Sequence, residues 1–151
     1  MLKAMMIGLT GAAASCAAVA FVRQRYAVVT VHGESMEPAF RHGDRVVVRR
    51  PVDARAGDVV VVEQPEPSRI DPRRRWSRPA TGRPSGRHWM IKRVGAAAGD
   101  PVPGGIPVPD EVVPPGQLIL LGDNASTSYD SRFAGYFPVE RVLGGVLRRL
   151  R

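Results

Sequence analysis

The sequence has little of several residue types that commonly build a site. Its 151 residues include one Cys, three His and two Lys, against twenty Arg. A single Cys excludes an intrachain disulfide and a CxxC zinc site. The three His residues lack the HxxxH spacing that is typical of metal ligands; they are His32, His42 and His88. We therefore expect neither a metal nor a cofactor.

The composition limits the class of protein. Fourteen Pro and sixteen Gly argue against a long-helix bundle, and 44% hydrophobic residues argue against full disorder. The length fits one domain, or one domain with a short appendage. The formal net charge of +8 is compatible with a basic nucleic-acid-binding protein. That function is kept as a remote alternative, and no nucleic-acid partner is expected.

The N-terminal segment is the longest uncharged run. Residues 4–22 hold nineteen residues without a charge, and a helix of that length spans roughly 28 Å, about the thickness of the bilayer core. We predict that residues 1–25 form a transmembrane anchor. A cleaved signal peptide, with Lys3 before it and Ala18-Val19-Ala20 as the cleavage site, and a buried soluble helix are alternatives. Flanking charge does not decide the orientation.

Residues 26–151 read as one mostly β domain of short antiparallel strands. Short β-branched runs alternate with Gly-Asp turns, which favours strands. The predicted strands are Ala27–Val31, Arg45–Val48, Asp58–Val62, Trp89–Val94, Gln117–Leu121 and Val142–Leu147. Two Pro-rich stretches, 65–87 and 100–116, are expected to be exposed loops. The basic cluster Arg73-Arg74-Arg75-Trp76 in the first loop suits either anionic lipid or a solvated loop.

Three polar segments carry candidate chemistry: GESMEP (33–38), MIKRV (90–94) and the stretch from Gly122 to Arg132. A Ser hydroxyl needs a base to become a nucleophile. A His-based triad is not excluded by the sequence order. A Lys in an apolar strand is a second option, because burial lowers its pKa, whereas Arg stays protonated. Lys92 is the single Lys of residues 26–151. The alternative is that Lys92 is an ordinary strand residue that points to solvent.

A family resemblance links the three segments. GESMEP resembles the Ser-x-x-Pro nucleophile box of the type I signal peptidases, which are serine-lysine membrane endopeptidases. MIKRVGAAAGD (90–100) resembles their lysine box, and GDNASTSYDSRFAG (122–135) resembles their closing box. The order of the boxes, the 57 positions from Ser35 to Lys92 and the N-terminal hydrophobic segment also fit. The resemblance extends over nearly the whole chain.

The resemblance implies a role for each matching residue. Ser35 would be the nucleophile, its backbone N–H would help to hold the oxyanion, and Lys92 would be the general base. Ser128 would hydrogen-bond the lysine amine and aim it. Asp130 and Arg132 match a supporting charge pair.

Further residues of the boxes would shape the site. Met36 is expected to pack beneath the nucleophile turn and Pro38 to fix that turn. Gly33 stands where some members carry a Ser that completes the oxyanion hole, which leaves the second donor open. The last three residues are expected to form a tight turn; they are Gly122, Asp123 and Asn124.

The implied function is a membrane-anchored serine endopeptidase that removes signal peptides from exported preproteins. The substrates would bind as extended peptides, with small residues in shallow apolar pockets. The expected setting is the cell membrane, crossed once, with a monomeric catalytic domain on the extracytoplasmic side and lipid as a partner. A dedicated maturation protease for one or a few precursors is the alternative, and a self-cleaving repressor-type regulator is a remote one.

Overall fold

The protein folds around one antiparallel β-sheet. A computed structural model describes residues 21–65 and 88–150. Seven strands lie in the order β1-β2-β7-β3-β4-β5-β6, which makes the predicted mostly β fold of antiparallel strands correct. The strands are β1 Tyr26–Thr30, β2 Arg45–Arg49, β3 Val59–Glu63, β4 Trp89–Ala97, β5 Gln117–Leu121, β6 Phe137–Pro138 and β7 Val142–Leu150.

The six predicted strands all form; the bounds of Gln117–Leu121 are exact, and no end of the other strands differs by more than three residues. The nine-residue β7 lies inside the sheet and pairs with both β2 and β3. Three pairings shift register, β2–β7 at Val47/Val48, β3–β7 at Val61/Val62 and β4–β5 between Val94 and Ala96. Such irregularities add local bend and twist to a sheet. The sheet curls, and the end of β1 lies against the start of β4.

The described helices are short. The helix α1 covers Ser131–Ala134, and two 3-10 turns cover Ala125–Thr127 and Val139–Arg141. Residues 21–25 are also helical. Across 21–65 and 88–150 no helix is long and apolar enough to span a bilayer. The predicted anchor falls mainly on residues 1–20, which lie outside the described residues.

Two apolar clusters sit on opposite faces of the sheet. Val60 and Val62 of β3 pack in one cluster with Phe137, whereas Val61 packs in the other with Met36. Successive strand residues point to opposite faces, so a strand buried on both sides reads as a continuous apolar run. Burial on both faces explains why β3 is almost all Val. The apolar clusters also pack beneath the segments that carry the polar residues.

The 100–116 stretch is only partly the exposed excursion that its Pro content predicts. Pro101 and Val112 form an isolated bridge. Val113 is buried and packs with Ala96 and Ile119 in a third apolar cluster. The loop is thus fastened to the sheet by its few branched apolar side chains. The other predicted loop, with Arg73–Trp76, lies outside the described residues apart from its first residue, Pro65.

Candidate active site

The turn that carries Ser35 follows β1 directly, and we call it the nucleophile turn after the role predicted for Ser35. The chain leaves Thr30, turns through Gly33 at a φ of +86° and reaches Ser35. A positive φ favours Gly, which carries no Cβ. Met36 is 1% exposed and packs in an apolar cluster below the turn, as predicted. Pro38 lies in the same turn, with the Phe40 N–H donating to the Met36 carbonyl across it at 2.9 Å.

Lys92 meets Ser35 across the sheet. It lies in β4 opposite Val60 of β3, and only 3% of it is exposed. Its Nζ atom is 2.8 Å from Ser35 Oγ, although the two residues are 57 positions apart. The alternative in which Lys92 is a solvent-facing strand residue is therefore wrong. No Asp or Glu forms a salt bridge with Lys92 in the described ranges.

The surroundings of Lys92 favour its neutral form. Burial lowers the pKa of Lys92 from 10.5 to about 8. The Asp130 charge works against this fall in pKa, and the Arg132 charge supports it. A neutral amine has a lone pair, so an amine with this pKa can accept the Ser35 proton near neutral pH.

Asp130 and Arg132 form a buried support beside the lysine. The Asp130 side chain is fully buried and accepts hydrogen bonds from the Gly122 N–H at 2.8 Å and from Arg132 Nε at 2.9 Å. Burial alone would raise the pKa of Asp130. The hydrogen bonds from Arg132 and Gly122 outweigh burial and hold the pKa at about 2. The carboxylate therefore stays charged and orders the closing segment.

Gly122 and Asn124 hold the back of the nucleophile turn. The Asn124 N–H donates to the carbonyl oxygen of Ser35 at 3.0 Å. A Cβ at Gly122 would stand 2.6 Å from that same oxygen and would also collide with the Ser128 side chain. Only Gly allows the two segments to approach this closely. Residues 122–124, which were predicted to form a tight turn, thus contact Ser35 itself.

Asp123 has a partner that sequence reasoning missed. Its carboxylate accepts from Arg93 Nε at 2.8 Å and from Arg93 NH2 at 2.7 Å. This two-point pairing ties β4, one residue beyond Lys92, to the end of β5. The available signal was the placement of Arg93 directly after the lysine and of Asp123 in the closing box.

Ser128 lies in the site without the hydrogen bond that the resemblance implies. It is 4% exposed, and its Oγ finds no hydrogen-bond partner in the described part of the chain. Its hydroxyl is close enough to help lower the pKa of Asp130 but does not reach it with hydrogen-bond geometry. The predicted bond to Lys92 is thus not formed in this arrangement, and a role for Ser128 stays a prediction.

An open cleft of about 770 Å³ leads to Ser35 and Lys92. Its walls come from the end of β1, the nucleophile turn, the start of β4 and the closing segment. Its lining includes the apolar side chains of Val29 and Met90, which also line a small pocket of about 20 Å³. Thr127 and Tyr129 of the closing segment line the same cleft. The cleft therefore offers both apolar and polar groups beside Ser35 and Lys92.

The His residues do not form the triad that the sequence left open. His32 and His42 contact each other edge to face with ring centroids 5.5 Å apart. The Nδ1 atom of His42 accepts a hydrogen bond from the Gly33 N–H at 3.2 Å, while the hydroxyl of Ser35 is bonded to Lys92. Within 21–65 and 88–150, no cluster of three His, Cys, Asp or Glu residues could hold a metal ion.

Comparisons with known proteins agree with this arrangement. The family described as "Signal peptidase, peptidase S26" matches residues 106–150, and the family described as "Peptidase S24-like" matches residues 14–70. A "Probable signal peptidase I-1" of Synechocystis sp. is 28% identical over 144 residues, covering 79% of this chain and 68% of the relative. Ser35 lies in one matched segment and Asp130 in the other. These matches support a serine peptidase that is similar to type I signal peptidases.

Proposed function

We propose that this protein removes signal peptides from exported precursors with Ser35 as nucleophile and Lys92 as general base. The observation that carries the proposal is the 2.8 Å contact between Lys92 Nζ and Ser35 Oγ in a buried setting. A buried lysine without a carboxylate partner has a depressed pKa, which is the property that a base needs at neutral pH. The family matches support peptide-bond hydrolysis as the reaction.

The proposed reaction has two stages. The neutral Lys92 amine takes the hydroxyl proton as Ser35 Oγ bonds to the scissile carbonyl carbon. The lysine ammonium then gives this proton to the leaving amine as the C–N bond breaks, and an acyl-enzyme remains. A water molecule, deprotonated by the same amine, attacks the ester. The bond to Ser35 then breaks, and Oγ regains its proton from Lys92.

The oxyanion would be held by backbone donors of the nucleophile turn. The Ser35 N–H is the first candidate, as the resemblance implies. Gly33 has no side-chain donor, and its own N–H is already bonded to His42. Gly33 therefore contributes no free donor in this arrangement, and a second donor would come from another part of the turn or from the closing segment.

The substrate peptide would lie as an added strand in the cleft. β1 is an edge strand of the sheet, and β5 pairs with β4 only from Arg93 onward. Residues 89–92 of β4 therefore have one open backbone edge within the described part of the sheet. Backbone groups at such an edge bind an extended peptide through main-chain hydrogen bonds.

The small pocket supports a preference for small side chains. Its volume of about 20 Å³ leaves room for little more than a methyl group, and its lining includes Val31, Val46 and Ile91. These side chains belong to the packed core, so enlargement of the pocket would disturb the sheet. We propose that Ala occupies this pocket when the peptide is bound.

We further propose that residues 1–25 anchor the catalytic domain, residues 26–151, in the membrane with the domain on the extracytoplasmic side. The uncharged run of residues 4–22 and the membrane association suggested by the signal peptidase relative support this proposal. If it holds, the protein stays in the membrane fraction after salt and carbonate washes. Release by either wash would contradict the anchor.

The proposed function is tested with the purified full chain in detergent micelles and a secretory precursor. Ser35→Ala should abolish cleavage, because Ser35 is the one hydroxyl bonded to Lys92 among residues 21–65 and 88–150. Ser126→Ala is the matched control, since Ser126 is an exposed serine of the closing segment. Cleavage by Ser35→Ala at the wild-type rate would refute the assignment. Mapping secreted-protein N-termini with and without the active protein would separate a general processor from a dedicated maturation protease.

A further inference from the structure

The nucleophile turn begins where the β1–β2 ladder ends. Two backbone hydrogen bonds continue the ladder past β1: the Val31 N–H donates to the Asp44 carbonyl at 2.7 Å, and the Gly43 N–H donates to the Val31 carbonyl at 2.9 Å. The next rung uses a side chain. The Gly33 N–H donates to Nδ1 of His42 at 3.2 Å.

We propose that His42 is a positioning residue for Ser35, which holds the Gly33 peptide through its unprotonated Nδ1 and thereby sets the direction of the nucleophile turn. The proposal rests on the proposed function, because it assigns His42 a part in the same reaction. His42 does not contact the reacting atoms. It acts through Gly33, two residues before Ser35.

Hydrogen bonds hold the backbone of the turn on both sides of Ser35. At Gly33 a Cβ would meet no atom within 4 Å apart from its chain neighbours, so the space where a side chain would stand is open. Beyond Gly33, the Asn124 N–H holds the carbonyl of Ser35 at 3.0 Å. The turn is thus fastened before the nucleophile by His42 and behind it by Asn124. Loss of either hydrogen bond frees Ser35 Oγ to move relative to Lys92.

The hydrogen bond defines what the side chain at position 42 must provide. Nδ1 can accept from Gly33 only while it carries a lone pair, which places the proton of a neutral ring on Nε2. A residue that replaces His42 must therefore present an acceptor atom at the position of Nδ1.

Two variants of His42 distinguish the hydrogen bond to Gly33 from the effects of side-chain size and polarity. The amide oxygen of Asn lies close to the position of Nδ1, whereas the amide oxygen of Gln lies one methylene further from the backbone. At pH 9, where Lys92 is mostly neutral, His42→Gln should lower kcat about three- to tenfold with little change in KM, as the loss of one exposed hydrogen bond implies. His42→Asn should restore kcat to within about twofold of the wild type. Equal kcat for all three proteins would overturn the proposal.

A measurement without turnover keeps this proposal separate from the proposed function. In full-length Ser35→Ala labelled with ¹⁵N-glycine, His42→Gln should shift the Gly33 amide resonance, because the hydrogen bond to the Nδ1 position is lost. His42→Asn in the same background should restore the resonance towards its original position. A Gly33 amide that does not shift in His42→Gln would overturn the role of His42 even if cleavage is confirmed. Failure of precursor cleavage would refute the proposed function and leave this resonance readable.

Discussion

Two cations of the described residues are buried, Lys92 in β4 and Arg141 in the 3-10 turn before β7, and their partners differ. Arg141 is 7% exposed, and its guanidinium donates to Glu63 Oε2 of β3 at 3.1 Å. Lys92 is 3% exposed, and its ammonium group is bonded to the hydroxyl of Ser35. Both cations lose most of their hydration on folding. Only Arg141 gains a carboxylate directly in exchange.

This difference separates a structural cation from a reactive one. A carboxylate at hydrogen-bond distance keeps its partner charged, so the Glu63–Arg141 pair serves packing and sheet geometry. A hydroxyl does not compensate for lost hydration to the same extent, and the pKa of Lys92 therefore falls to about 8. The nearest described acidic group of the site, Asp130, is neutralised by Arg132. The protein thus keeps one buried cation that can release its proton.

The largest expected effect comes from making Lys92 resemble Arg141. Lys92→Arg keeps the positive charge but removes the ability to lose a proton, because a guanidinium does not deprotonate in proteins. Peptide cleavage should fall by about 10³-fold or more, in line with the loss of a general base. Activity of Lys92→Arg close to the wild-type value would show that the proton of Ser35 goes elsewhere.

Breaking the paired cation should affect stability. Glu63→Gln removes the buried carboxylate from this pair and leaves Arg141 the exposed Glu140 at 4.0 Å, so the free energy of unfolding should drop by about 3 kcal/mol. Asp53→Asn is the control, because the Asp53–Arg55 pair is 80% or more exposed on both sides and contributes little. Denaturant unfolding measures both variants. An equally small loss for both would mean that the buried pair is not structural.

Removing the charge of Lys92 should change the free energy of unfolding in the opposite direction. Lys92→Met takes away a buried charge and should raise the free energy of unfolding at pH 7 by about 3 kcal/mol, which is the equivalent of the fall in the Lys92 pKa. The folded pKa lies below the unfolded value of 10.5, so the unfolded chain binds more protons between the two values. Wild-type stability therefore rises with pH from about 8 to 10.5.

The advantage of Lys92→Met should accordingly be complete below pH 8 and shrink towards pH 10.5. Unfolding curves of both proteins at pH 7, 9 and 10.5 measure this trend. A destabilised Lys92→Met, or a difference that does not change with pH, would contradict the buried neutral amine.

The contact between Gly122 and Ser35 allows a geometric test. Gly122→Ala places a Cβ 2.6 Å from the Ser35 carbonyl, so it should cost about 1–3 kcal/mol of stability and displace the nucleophile turn. Gly104→Ala is the matched control, because a Cβ there meets nothing within 4 Å and its φ is not positive. Equal unfolding free energies and equal kcat for the two variants would contradict the close approach.

The smallest expected effect on stability is at Ser128. Its hydroxyl is buried without a hydrogen bond in the described residues, so Ser128→Ala should change the free energy of unfolding by less than about 1 kcal/mol. If the hydroxyl aims the amine during the reaction, kcat should still fall about tenfold. A stability loss above 2 kcal/mol would show that Ser128 is bonded in the folded protein.

Much of the fold and part of the candidate site could be predicted from the sequence. The β-branched runs and Gly-Asp turns located six strands, because period-two patterns and turn residues act locally. The composition of twenty Arg and two Lys made Lys92 a candidate general base, because Lys92 is the one Lys of residues 26–151. Lys92 and Ser35 are 57 positions apart, and this separation does not predict that their side chains are close in space. The family resemblance predicted their proximity.

Other features depended on tertiary packing and left no local signal. The two-residue strand β6 is too short for any periodicity. The burial of Val113 within a Pro-rich loop follows from the shape of the sheet beneath it. The contact of His42 with Gly33 joins two turns through a side chain that reads as an ordinary exposed residue. Each of these depends on residues brought together by the curl of the sheet.

The most direct test of the account is the pH dependence of kcat/KM for peptide cleavage by the full-length protein. If Lys92 is the base, kcat/KM should level off above about pH 8 and fall at least tenfold per pH unit below it. Ser35→Ala, measured in parallel, should show no activity at any pH. An activity that is already constant from pH 6 upward would contradict a lysine base and with it the central claim.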